Sequence, residues 1–126
     1  MMQKAGKILV LCGVLLLCLA ALPAYADKSS VEIEAPTLAE AGTVVTIKVN
    51  VKHQGNNFMH YTKWVYMKVN GEEVARWDFS WTSRPEEEAF SRQVEYTLDG
   101  PIEIEAEASC NIHGSAGKAH QKVEAR

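Results

Sequence analysis

From Thr43 to Val51 the chain reads TVVTIKVNV, with Val45, Ile47, Val49 and Val51 on one face and Thr46, Lys48 and Asn50 on the other. Alternation with a period of two in β-branched residues is the pattern of a strand with one face buried. The same pattern returns in Val31–Ala35, Tyr61–Val69, Glu73–Phe79, Phe90–Leu98 and Ile102–Ser109, and Lys118–Glu124 reads as a last short strand. Asn70-Gly71 is a two-residue hairpin signal, and Asp99-Gly100-Pro101 forces a second reversal. In Ile102–Ser109, Ile102, Ile104, Ala106 and Ala108 point inward and the glutamates face water, as expected for an antiparallel sheet with one wet face. No stretch carries a helical period. These observations predict an all-β chain, an antiparallel immunoglobulin-like β-sandwich of about seven strands.

The first 26 residues read differently. Lys4 and Lys7 precede an apolar run from Ile8 to Leu22, and the segment closes on Ala24-Tyr25-Ala26. That is the layout of a secretory signal peptide over residues 1–26, with cleavage expected after Ala26. An uncleaved anchor is the alternative, since the run approaches the roughly 20 residues that span a bilayer; Pro23 and the small-x-small ending favour processing. Residues 27–126 would then form one domain in the periplasm or outside the cell, with no membrane attachment. Loss of the two lysines takes the formal charge from −3 to −5. No basic face remains to attract nucleic acid.

Cys12 and Cys18 leave with the signal, so Cys110 is the one cysteine of the mature chain. It has no internal disulfide partner. A lone cysteine in an oxidising compartment is a buried thiol, an intermolecular partner or a thiolate with a task such as metal binding. Its neighbours bear on the choice. All four histidines fall in two places: His53 and His60 flank a loop containing Gly55, whereas His113 and His120 follow Cys110. Cys110-Asn-Ile-His113 lies where a strand end meets a turn, which can aim a sulfur and an imidazole at one point. Joined by His53 and His60, the pair makes a mixed sulfur and nitrogen donor set that zinc, copper or iron would accept. Zinc in a structural site prefers a closed tetrahedron.

His60-Tyr-Thr-Lys-Trp64 and Cys110-Asn-Ile-His113-Gly114 resemble motifs of the superoxide reductases, including the iron domain of desulfoferrodoxin and neelaredoxin, and His53 fits the ligand that precedes the first motif. The resemblance runs from Val31 to His113. It implies one mononuclear iron held by His53, His60 and His113 in a plane, with Cys110 as the axial thiolate and the position opposite open to superoxide. The substrate would leave as hydrogen peroxide, and no catalytic residue beyond the metal ligands is implied. The electron donor is not named by the sequence, and a homo-oligomer is compatible with it.

The departures are specific. The family carries a further histidine, directly after a lysine, in an N-terminal loop; here that stretch reads Lys28-Ser29-Ser30. His120 is a candidate replacement from the last strand. A second, rubredoxin-like centre needs four cysteines and has no counterpart. Trp64 is expected beside the metal loop and Trp77 and Trp81 in the sandwich, while Glu86-Glu87-Glu88 reads as a solvated turn rather than a calcium site. Two further readings stay open: a metal-binding or electron-transfer protein without efficient reductase activity, and a non-metallic immunoglobulin-like interaction module.

Overall fold

The computed structural model describes residues 27–126, so the expected signal segment, residues 1–26, lies outside the described residues. Eight strands follow in order: β1 (Ser30–Glu34), β2 (Leu38–Ala39), β3 (Val44–Lys52), β4 (Thr62–Val69), β5 (Glu72–Asp78), β6 (Ala89–Thr97), β7 (Ile102–Cys110) and β8 (Ala119–Ala125). Among the described residues no helix is long and apolar enough to cross a membrane. The strands form a three-stranded sheet, β1-β3-β6, and a five-stranded sheet, β2-β8-β7-β4-β5. This is the β-sandwich that the alternation predicts.

The core lies between the sheets. Ile47 and Val49 of β3 and Phe90 of β6 meet Val65 and Met67 of β4, Ile104 and Ala106 of β7 and Val123 of β8 in one buried apolar cluster. Burying a side chain the size of Ile47 or Met67 contributes about 1.5–3 kcal/mol. A slip of one residue in β3 would turn all four of its inward residues to water, so the register to β6 (Ile47 opposite Val94, Val51 opposite Phe90) is set by the pattern itself. Asn70 and Gly71 both adopt positive φ, 50° and 83°, as a tight hairpin between β4 and β5 requires.

One short element is added and one expectation is corrected. There is an eighth strand, β2, and it runs parallel to β8, with Leu38 opposite Glu124; two residues are too few to show a period. Trp81 is 63% exposed and fills no core, because the connection from β5 to β6 turns it outward. Trp64 stacks on Tyr66, rings 5.6 Å apart, under the Arg76 guanidinium.

The β5–β6 connection also supports the loop after β3. Arg92 holds the Glu86 carboxylate with two hydrogen bonds of 2.8 and 3.0 Å and lies over the rings of Phe79 and Phe90. The next two carbonyls turn to the loop: Glu88 accepts from the His53 N–H at 2.8 Å and Glu87 from the Asn56 side-chain amide at 2.7 Å. The Arg92 hydrogen bonds bring the Glu86 carboxyl down to about 2 from 4.5. A carboxyl lowered on folding stabilises above its unfolded value, and that stability is lost as pH falls from 4.5 through about 2. Glu86→Gln is therefore expected to cost less than about 1 kcal/mol at pH 7, the pair being largely exposed. The difference from the parent, read by urea unfolding, should shrink as the pH is lowered across that window.

Candidate metal centre

Three chain segments meet at one end of the sandwich: the residue after β3, the residues before β4, and the turn that closes β7. β4 and β7 are neighbours, with Thr62 opposite Cys110. After Cys110 the chain folds back on itself, Cys110 and Gly114 exchanging both backbone hydrogen bonds at 2.9 and 3.1 Å. This turn aims Cys110 and His113 at the same point. Gly114 takes φ 78°, which a side chain would oppose.

Asn111 ties that turn to the other loop. Its backbone N–H donates to the Tyr61 carbonyl at 3.0 Å, its Oδ1 accepts from the Tyr61 N–H at 3.0 Å, and its Nδ2 donates to the Met59 carbonyl at 3.1 Å. His60 is thereby held between two residues bonded to the residue after Cys110.

The donor atoms converge. His53, His60 and Cys110 each offer one atom, all within 4.8 Å of one another. His53 Nε2 lies 3.1 Å from His60 Nε2, and His113 Nδ1 lies 3.0 Å from that same nitrogen and 3.8 Å from Cys110 Sγ. His53 and Cys110 are buried, His60 is half-buried and His113 is at the surface. Successive rings stand edge to face at 83°.

Two nitrogens about 2.1 Å from one ion sit about 3.0 Å apart at a right angle and about 3.4 Å apart at the tetrahedral angle. The observed 3.0 and 3.1 Å are short enough for the ring nitrogens to share one ion. A mixed thiolate and imidazole set is one that iron, zinc or copper accepts. The residues present therefore fit a single transition ion, iron among them.

His53 shows how the chain prepares a donor. The Asn56 side chain can be oriented only one way, since its Nδ2 donates to the Glu87 carbonyl and its Oδ1 accepts from the Thr62 N–H at 2.8 Å. That Oδ1 also lies 2.9 Å from His53 Nδ1, so Nδ1 carries the proton and Nε2 turns a lone pair to the other rings. Burial pushes the His53 pKa below the ordinary 6.5, against the Asn56 hydrogen bond, which favours the charged ring; the nearby His60 and His113 lower it further. Neutral imidazole is the form that binds metal. On the sulfur side, the N–H groups of Ile112 and His113 both point at Cys110 Sγ from 3.4 Å, which suits a thiolate.

His120 is elsewhere. It stands on β8 opposite Glu105, and Glu105 precedes Cys110 by five residues, about 17 Å along β7 at ~3.4 Å per residue. It replaces no donor at this site. The N-terminal segment arrives instead: the Asp27 carbonyl oxygen lies 3.4 Å from His60 Nε2.

A sequence model of desulfoferrodoxin matches residues 24–116, which include every donor described. The chain belongs to the desulfoferrodoxin family. Among solved structures, the neelaredoxin superoxide reductase of Ignicoccus hospitalis superposes with a TM-score of 0.64 at 21% identity, over 79% of this chain and 82% of that one. A CARDB domain of Pyrococcus furiosus, solved with two metal ions, gives 0.61 at 18% identity over 79% and 94%. The PKD domain of an M14-like peptidase from a Thermoplasmatales archaeon gives 0.58 at 14% over 79% and 97%. At such identities the likeness carries the fold alone. No curated protein sequence matches. β8, with His120, lies beyond the matched part of this desulfoferrodoxin-family chain.

Sequence reasoning missed Asn56, Thr62 and Asn111. Asn111 sat inside the Cys-Asn-Ile-His motif, and Asn56 beside Gly55 in a loop rich in left-handed backbone, where its φ is 42°. Asn56→Gly removes the amide and keeps that φ free of strain. It is expected to weaken metal binding about 10–100-fold, the usual effect of losing an outer partner of a histidine ligand, as a chelator competition titration would show.

Proposed function

We propose that this chain is exported, that it is cleaved after Ala26, and that in the periplasm or outside the cell it binds one iron ion through His53, His60, His113 and Cys110 and reduces superoxide to hydrogen peroxide. The observation that carries this reading is the meeting of one sulfur and three ring nitrogens at one point on a desulfoferrodoxin-family sandwich.

Bound ferrous iron supplies one electron, which with two protons turns superoxide into hydrogen peroxide. The protein's part is to hold and bias. Cys110, 4% exposed, places its sulfur where the N–H groups of Ile112 and His113 point at it from 3.4 Å. Asn56 holds the proton on His53 Nδ1 and so turns Nε2 inward. Asn111 fixes the His60 loop against the Cys110 turn. His113 stands at the exposed edge, where a small anion arrives from solvent.

A second reading, a metal-binding or electron-transfer protein with little reductase activity, is favoured by the stretch Lys28-Ser29-Ser30, which lacks the family's histidine and does not put Lys28 in the place of its lysine. One experiment divides them. Mature protein loaded anaerobically with ferrous iron is expected to consume superoxide generated by pulse radiolysis, with a visible thiolate-to-ferric band growing in step. A band produced by another oxidant, with no superoxide consumed, would leave the second reading; no band at all would remove both.

A further inference from the structure

We infer that the α-amino group of Asp27, created by cleavage after Ala26, is a further nitrogen donor to this metal centre. The inference rests on the export and iron reading above and deepens it. Asp27 is held against the site in two ways. Its carbonyl oxygen lies 3.4 Å from His60 Nε2, the nitrogen that His53 and His113 both approach, and its backbone also faces His53. Two residues on, Ser29 is fully buried and pinned: its N–H donates to the Gly114 carbonyl at 3.3 Å, its carbonyl accepts from the Ala116 N–H at 2.9 Å, and its hydroxyl bonds the Thr62 hydroxyl at 2.9 Å. The anchor lies on the turn that follows Cys110 and His113 and on Thr62, the β4 residue opposite Cys110, so residue 27 is held near the rings.

The chemistry depends on the peptide bond before Asp27. In the uncut chain that nitrogen is an amide, whose lone pair is delocalised into the carbonyl and is a poor ligand. Hydrolysis turns it into a primary amine, a nitrogen donor comparable with imidazole. The amine and carbonyl oxygen of one residue are separated by three bonds of about 1.2–1.5 Å, so with an ion they close a five-membered ring. Removal of the signal would thus complete the donor set, and the precursor would hold iron less tightly than the mature protein. Metal loading would follow processing rather than precede it.

The test compares two otherwise identical proteins, one beginning at Asp27 and one retaining Ala26 in front of it. The longer form keeps the Asp27 carbonyl and carboxylate, turns the Asp27 nitrogen into an amide and moves the free amine one residue away. Chelator competition with ferrous iron is expected to show affinity about tenfold or more lower for the longer form, on the scale at which lost ligand interactions act. Labelling with 15N-aspartate marks residues 27, 78 and 99 only. Of these, Asp27 alone adjoins the site, so a 15N coupling in the electron spin echo spectrum of the ferric shorter form is expected and should be absent in the longer one. Equal affinities with no 15N coupling would overturn the amine and leave the iron reading standing. Failure of both forms to bind iron would overturn the iron reading itself. Mass spectrometry of exported protein showing a first residue other than Asp27 would also overturn the inference.

Discussion

Replacing Cys110 with serine is expected to abolish the visible thiolate band of the ferric protein and to lower iron affinity by more than the ~100-fold that loss of an outer-shell partner costs. The sulfur is the only thiolate within reach of the rings, Cys110 being the only free cysteine among the described residues. A hydroxyl at that place stays protonated near neutral pH and neither donates electron density nor absorbs in the visible. The fold should survive. The serine oxygen can accept from the Ile112 and His113 N–H groups that now face sulfur, so the buried hydroxyl has partners and the cost stays near 1 kcal/mol. Iron content and absorption of the purified variant, alongside its thermal unfolding, separate the two effects. A retained band would remove Cys110 from the centre.

The second large effect is expected at His60. Its Nε2 is the hub of the cluster, meeting His53 at 3.1 Å, His113 at 3.0 Å and the Asp27 carbonyl at 3.4 Å. His60→Ala removes the nitrogen that both other rings approach. Iron retained after dialysis against a weak chelator should fall below detection. Stability should change by less than about 1 kcal/mol, since the half-buried ring sits on a loop and contributes nothing to the core between the sheets. His120→Ala, on β8, is expected to retain iron at the parent level. Iron loss in that variant would contradict the placement of His120 opposite Glu105.

Much of this was legible before any coordinates. The alternation in Thr43–Val51 and the Asn70-Gly71 turn dictated strand faces and a hairpin, because both act over two or three residues. The convergence of His53, His60, Cys110 and His113 was legible for a different reason: side chains with metal-binding chemistry are few, and Cys110-Asn-Ile-His113 packs two into one turn. What stayed hidden was backbone. The Glu87 and Glu88 carbonyls that brace the His53 loop, and the Asp27 carbonyl beside His60, have no signature, since every residue carries the same group. β2 was hidden by brevity. His120 misled because it follows Cys110 closely in the chain, while the strand pairing of β7 and β8 sends it toward the far end of the sheet.

The Asn111 clamp has a consequence for how such a centre works over repeated cycles. Hydrogen bonds from one asparagine already join the two loops, so the cage stands assembled before any ion arrives. Binding energy is then not consumed in ordering the polypeptide. On the proposed reading, a cage braced in this way would shift little when its ion gains or loses a charge, which would keep the nuclear rearrangement accompanying each electron small.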